Sequence, residues 1–136
     1  GMRTILLAFG EDFPKNEFVP HNLERNCIVY TGTHDFNTAK GWFESEALHK
    51  EKMRLFKYIG READAEEISW DFIRLAMASV ANTAILPMQD VLSLGKEARM
   101  NVPGSPNGNW EWRALPEQIR SLDRRLADMT KIYGRV

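Results

Sequence analysis

The sequence predicts an α/β fold in which short parallel strands are covered by helices. Apolar runs at residues 4–9, 27–31 and 84–88 have the length of buried strands, and polar residues follow each of them. Segments with helical periodicity lie between the second and third runs and after the third run. Strands of a parallel sheet are buried and open onto a site at their carboxyl ends. The pattern is therefore typical of an α/β barrel or a doubly wound sheet.

Composition and charge limit the classes of protein to which the chain can belong. Its 136 residues suit one domain or part of a larger one, and its 43% hydrophobic and 27% charged residues are ordinary for a globular protein. A net charge of −1, without a basic stripe, argues against a nucleic-acid or membrane-surface protein. The sequence shows no apolar run of about 18 residues and no signal-peptide pattern. Since Cys27 is the single cysteine, we expect a buried thiol in a cytoplasmic protein without a membrane span.

The first two strands are expected to be joined by an irregular crossover. The run at 4–9 stops at Gly10, and residues 10–26 contain prolines and no helical period. A connection of this length can join two parallel strands. The second strand is predicted at 27–31, and residues 36–43 are expected to form a loop or short turn.

Two helices are predicted between the second and third strands. Ser45 is a candidate cap for a helix that runs to Ile59 and ends at Gly60. Asp64 and Glu67 have capping-box spacing and begin a second helix that runs to Asn82. The apolar faces comprise Leu48, Leu55, Phe56 and Ile59 in the first helix and Ile68, Phe72, Leu75, Ala76 and Val80 in the second.

The last part of the chain is predicted to hold one strand, one long loop and one helix. The strand at 84–88 precedes a loop at 95–114, and the final helix begins at Pro116 and ends at Gly134. Three strands cannot close a barrel, and they leave open edges that promote association. We therefore expect either a homodimer or assembly with further barrel strands. The final helix should bury Ile119, Leu122, Leu126 and Met129.

The strongest candidate site residues are His34 and Asp35, which follow the second strand directly. Asp35 could act as a general base, a nucleophile, an electrostatic stabiliser or a metal ligand, or it could cap the following turn. His34 could orient a substrate hydroxyl or donate to a backbone carbonyl. His21 and His49 show no metal-ligand spacing, so no metal site is predicted.

A second group of candidates lies in and before the long loop. Gln89 and Asp90 follow the third strand, where termination of the strand and helix capping are the simpler explanation. The loop combines aromatic rings with amide and guanidinium donors, which suits sugars, although two tryptophans could equally anchor the loop to the domain. The sequence has no phosphate-binding glycine loop, nucleophile elbow or zinc signature. The loop residues in question are Arg99, Asn101, Trp110, Trp112 and Arg113.

Several motifs in order resemble the C-terminal part of the amylomaltases, the 4-alpha-glucanotransferases of glycoside hydrolase family 77. The resemblance covers nearly the whole chain. It departs from the family pattern at Phe36-Asn37, where the family often has Asn-Asp. The motifs are Pro20-His21-Asn22, Val29-Tyr30-Thr31-Gly32-Thr33-His34-Asp35, Gly41-Trp42, Pro87-Met88-Gln89-Asp90-Val91-Leu92-Ser93-Leu94-Gly95, Glu97-Ala98-Arg99-Met100-Asn101-Val102-Pro103-Gly104 and Gly108-Asn109-Trp110-Glu111-Trp112-Arg113.

The resemblance implies that residues 1–136 are a single domain, the last three βα units of a partial (β/α)8 TIM-type barrel. It implies transfer of α-1,4-glucan segments between maltooligosaccharides with retention and without a cofactor. Asp35 would be the transition-state stabiliser, while the nucleophile and acid/base would precede residue 1. His34 and Trp110 would bind substrate, and Arg99 and Asn101 would bind it and support the active-site rim.

Three functional hypotheses follow. The first is a portion of a 4-alpha-glucanotransferase that is inactive alone, because a stabiliser without a nucleophile and an acid cannot form the glycosyl intermediate. The second is a non-catalytic fragment that binds glucan, completes a barrel or self-associates. The third is an independent hydrolase in which Asp35 works with Glu11 or Asp12, and it requires carboxyl groups roughly 5–5.5 Å apart for retention.

Overall fold

A computed structural model describes residues 1–122 and 124–135. Its three parallel strands form one sheet in the order β1 (Met2–Thr4), β2 (Ile28–Tyr30) and β3 (Thr83–Ile85). The predicted α/β class is confirmed. The α-helices are α1 (Ala39–Ser45), α2 (His49–Ile59), α3 (Ile68–Ala78), α4 (Met88–Val91), α5 (Pro116–Arg120) and α6 (Arg124–Ile132), and 3-10 turns lie at Ile5–Leu7, Pro20–Asn22 and Lys96–Ala98.

The two faces of the sheet have different environments. Val29 of β2 is fully buried in the main core, where Phe72 of α3 packs beside Phe9 and Trp42 with ring-centroid distances of 6.2 and 5.5 Å. Apolar side chains on the other face are exposed, and no strand among residues 1–122 and 124–135 pairs with the outer edge of β1 or β3. The open edges expected of three strands are therefore present. The exposed apolar side chains are Met2, Ile28 and Ile85.

All three strands are shorter than the predicted runs, and the runs at 4–9 and 84–88 differ most from the prediction. Of residues 4–9, only Thr4 belongs to β1, since a 3-10 turn begins at Ile5. Within this turn the Leu6 N–H still donates to the Thr31 carbonyl at 3.1 Å. A buried apolar run has no periodicity that separates a strand from a helical segment. The run at 84–88 is interrupted by Pro87, which cannot donate to a sheet ladder, and helix α4 follows.

The helix boundaries before residue 60 also differ from the prediction. Residues 36–43 are not all loop, because Thr38 caps α1 by accepting the Gly41 N–H at 3.0 Å. Ser45 caps no helix, and its hydroxyl donates to the Gly41 carbonyl at 2.7 Å. Helix α2 begins instead at His49, and Leu48 before it is exposed. Gly60 ends α2 in the left-handed conformation, as predicted.

The later helices are shorter than predicted. Helix α3 ends at Ala78, and Val80 is exposed. The last helix is divided into α5 and α6, and the predicted apolar residues Ile119 and Leu122 are exposed, whereas Met129 is buried in a second cluster with Trp70. No described helix is sufficiently long and apolar to cross a membrane.

Candidate functional site

The loop after β2 and the long loop after α4 meet at the carboxyl edge of the sheet. Asn101 joins them in two places: its side-chain amide donates to Asp35 Oδ1 at 2.7 Å, and its backbone N–H donates to the His34 carbonyl at 3.1 Å. These residues are more than 60 positions apart in the sequence. The structure therefore brings together the two groups of candidates that were identified separately.

The carboxylate of Asp35 is held on one side and open on the other. Oδ1 accepts from Asn101 and lies 3.4 Å from His34 Nε2, while Oδ2 has no hydrogen-bond partner among residues 1–122 and 124–135. No backbone N–H of these residues donates to the carboxylate, so the turn-capping alternative is not supported. The side chains of His34 and Asp35 are about half exposed. An oriented carboxylate with one open oxygen can accept hydrogen bonds from hydroxyl groups or stabilise a positive charge.

Arg99 fixes the two loops to each other. Its Nε donates to the Asn101 carbonyl and its Nη2 to the Asp35 carbonyl, both at 2.9 Å, and Nη1 donates to Glu46 Oε1 at 3.1 Å. A planar guanidinium that donates to three acceptors holds them in a defined geometry. Arg99 therefore lies where it can support the rim of the candidate site.

Trp110 provides an aromatic surface beside His34. Its side chain is exposed, and the two ring centroids are 5.0 Å apart with a 40° angle between the planes. Its φ of 64° is rare for a large residue, and its backbone N–H donates to the Met100 carbonyl at 2.7 Å. Backbone strain of about 1–3 kcal/mol is found mainly at functional sites. Arg113 instead donates to the carbonyls of Trp110 and Trp112, within the loop.

Asp90 has a structural position that the sequence did not reveal. Its carboxylate is buried and accepts from Thr31 Oγ1 at 2.5 Å and from the Ala39 N–H, at the start of α1, at 2.8 Å. Burial raises the pKa of Asp90, although both hydrogen bonds act in the opposite direction. Helix capping was the simpler explanation of this residue, but sequence spacing gave no sign that the capped helix lies 51 positions earlier. Gln89 donates to the Ala98 carbonyl at 3.2 Å.

Two cavities meet at His34. One, of about 180 Å³, lies under Arg99 and Trp110, and the other, of about 370 Å³, lies against the open sheet face and reaches Asp35. Neither is lined by Glu11 or Asp12, the carboxylates required by the hydrolase hypothesis. Among residues 1–122 and 124–135, no group of three or more His, Cys, Asp or Glu side chains could hold a metal ion.

Comparison with known proteins identifies the family of this chain. Residues 1–118 match the family model described as 4-alpha-glucanotransferase. The chain belongs to the 4-alpha-glucanotransferase family. It is 44% identical to the 4-alpha-glucanotransferase of Clostridium butyricum over 136 residues, and 44% identical to the chloroplastic/amyloplastic 4-alpha-glucanotransferase of Solanum tuberosum over 141 residues. The match covers 99% of this chain in the first case and 100% in the second.

The chain spans about a quarter of the length of these 4-alpha-glucanotransferases: 28% of the C. butyricum protein and 24% of the S. tuberosum protein. A solved structure, "Amylomaltase from Streptococcus agalactiae in complex with acarbose", has a TM-score of 0.89 and 33% identity, with 98% of this chain and 27% of that chain covered. The predicted resemblance and the partial barrel are thereby confirmed, since the amylomaltase is a TIM-barrel enzyme.

Proposed function

We propose that the chain is part of a 4-alpha-glucanotransferase that moves α-1,4-glucan segments between maltooligosaccharides with retention. Asp35 stabilises the oxocarbenium-like transition state in this proposal. The observation that supports it best is the geometry of Asp35, which lines the cavity at the sheet face, has Oδ1 held by Asn101 and has no hydrogen bond to its other oxygen from the described residues. His34 contributes a hydrogen-bonding ring, and Trp110 contributes a surface on which a sugar can stack.

The same geometry explains why we expect the chain to be inactive alone. Retention requires a nucleophile and an acid/base, and Asp35 supplies neither in this proposal. The nearby carboxylate of Glu46 already accepts from Arg99 and from Asn37 (2.8 Å). The described site can therefore bind sugar hydroxyls and stabilise positive charge, while the second carboxylate beside it, that of Glu46, is held in place by Arg99 and Asn37.

Association is the second proposal, and the open face of the sheet supports it. Met2 and Ile85, on the outer strands, have 60% and 42% of their surface exposed, and within the part of the chain that the structure describes neither outer edge is paired. Further βα units of the barrel would cover this face, and a second copy of the chain is the alternative partner. The cytoplasmic location stays a prediction.

Glucose release from maltotriose tests the proposed function. The isolated chain should release none above the blank. A chimera in which this chain replaces the matched segment of the C. butyricum enzyme should release glucose, because the remainder of that enzyme supplies the missing groups. Circular dichroism should first show that both proteins are folded. Release by the isolated chain would refute the predicted inactivity, and a folded chimera without activity would refute the proposed function.

A further inference from the structure

Glu46 lies outside every motif of the resemblance, yet it contacts the candidate site. It follows the last residue of α1, and its backbone N–H donates to the Trp42 carbonyl at 2.9 Å. Its Oε1 accepts from Arg99 Nη1 at 3.1 Å and from Asn37 Nδ2 at 2.8 Å. One carboxylate oxygen therefore joins α1 to both loops of the site.

The position of Glu46 is defined from the side of Asn37. Asn37 is buried, and its Oδ1 accepts the Thr38 N–H at 2.9 Å. A Cβ atom on Gly41 would lie 2.2 Å from this Oδ1, so only glycine leaves space for the Asn37 side chain. Asn37 is thus a fixed donor that orients the carboxylate of Glu46 toward Arg99.

The charge of Arg99 gives the contact with Glu46 a specific consequence. Arg99 Nη2 donates to the backbone carbonyl of Asp35, so the guanidinium lies beside a residue that carries its own carboxylate. An Arg–carboxylate pair is a strong interaction and is often bidentate. In the structure Arg99 forms its ion pair with the carboxylate of Glu46. Its hydrogen bond to Asp35 goes to the backbone carbonyl and not to the carboxylate.

We propose that Glu46 is a positioning residue for Asp35 and acts through Arg99. By accepting from Arg99 Nη1 and so fixing the orientation of the guanidinium, Glu46 maintains the bond from Asn101 to Asp35 Oδ1 and leaves the second oxygen of Asp35 open. The importance of this arrangement for sugar binding rests on the proposed function, whereas the contacts themselves are all made between residues of this chain. Without Glu46, Arg99 turns toward the Asp35 carboxylate and occupies the oxygen that a sugar would use.

Nuclear magnetic resonance of the ¹⁵N-labelled chain tests the positioning directly, without a sugar. In Glu46→Ala, the side-chain amide signal of Asn101 and the Nε–H signal of Arg99 should both move. Glu46→Gln should leave both signals nearly in place, because its amide oxygen can accept the same two bonds. Glu44→Ala is the matched control, since Glu44 is exposed in α1, two residues before Glu46, and has no hydrogen bond or ion pair with the described residues.

Acarbose titration of the same variants tests the consequence for binding. Glu46→Ala should weaken affinity by about 10-fold or more, because a misplacement of about 1 Å can cost as much as about 100-fold in the function of a site. Glu44→Ala should have no effect. Unchanged Asn101 and Arg99 signals in Glu46→Ala would overturn the proposal, whatever happens to affinity or thermal stability. If Glu46→Ala does not fold, Glu46→Asp decides in its place, since the shorter side chain cannot reach both Arg99 and Asn37. Failure of the unmodified chain to bind acarbose would count against the proposed function, while the two signals would still decide the role of Glu46.

Discussion

Replacing Asp35 with asparagine in the chimera is expected to lower transferase turnover by about 1,000-fold. Asparagine keeps the shape of the side chain and an oxygen that can accept from Asn101, but it removes the negative charge. Loss of a group aimed at charge in the transition state commonly costs about 10²–10³-fold in kcat. The rate of glucose release from maltotriose at saturating substrate measures this change.

Two controls separate the role of Asp35 from a general loss of charge or of structure. Glu11→Gln removes a carboxylate that follows the apolar run at 4–9 and lines neither cavity at His34, and it should leave turnover within about twofold of the parent chimera. Equal unfolding temperatures for the parent and Asp35→Asn proteins would exclude misfolding. Turnover in Asp35→Asn within tenfold of the parent would contradict the role assigned to this residue.

Replacing Asp90 with alanine is expected to lower the free energy of unfolding by about 3 kcal/mol. The carboxylate is buried, and its loss leaves the Thr31 hydroxyl and the Ala39 N–H without their acceptor. An unsatisfied buried group costs about 1–3 kcal/mol, and two are created together with a small cavity. Urea unfolding of the 136-residue chain measures this difference.

Asp90→Asn is the matched variant for this prediction. Its amide oxygen can accept from Ala39, and its amino group can donate to Thr31, so its cost should be less than half that of alanine. Since burial raises the pKa of Asp90, the folded state binds the proton of its carboxyl group more tightly than the unfolded state does. The contribution of this protonation to the free energy of unfolding is fully present below the pKa of Asp90 in the unfolded state, about 3.9. It is lost as the pH rises through the pKa of Asp90 in the folded state. Asp90→Asn should remove this part of the pH dependence. Equal free energies of unfolding for Asp90→Ala and the parent would contradict the structural role assigned to Asp90.

The part of the site that the sequence could predict is the part set by one strand. Tyr30 ends an apolar run, and His34 and Asp35 follow within a few positions, so their place at the edge of the sheet follows from local pattern. The contact of Asn101 with Asp35 depends on the path of a loop without regular structure. The motif resemblance associated these residues, but no periodicity or spacing could place one amide 2.7 Å from one carboxylate.

The predictions of strand length and of helix burial that were wrong depend on tertiary packing, which the local sequence does not show. The run at 4–9 is apolar throughout, so its sequence does not show where β1 ends and the 3-10 turn begins. Ile119 has helical spacing with Leu126, but the helix is interrupted, and Ile119 is exposed. The left-handed backbone of Trp110 is likewise invisible in the sequence, since glycine or asparagine is the usual signal for positive φ.

Titration of the ¹⁵N-labelled chain with acarbose tests most directly whether this edge of the sheet is a sugar site. We expect the largest changes at the amides of His34, Asp35 and Asn101 and at the indole N–H of Trp110. Asp35→Asn should reduce these changes at equal acarbose concentration. An absence of changes at saturating acarbose, or changes confined to residues away from the two cavities at His34, would contradict the sugar site.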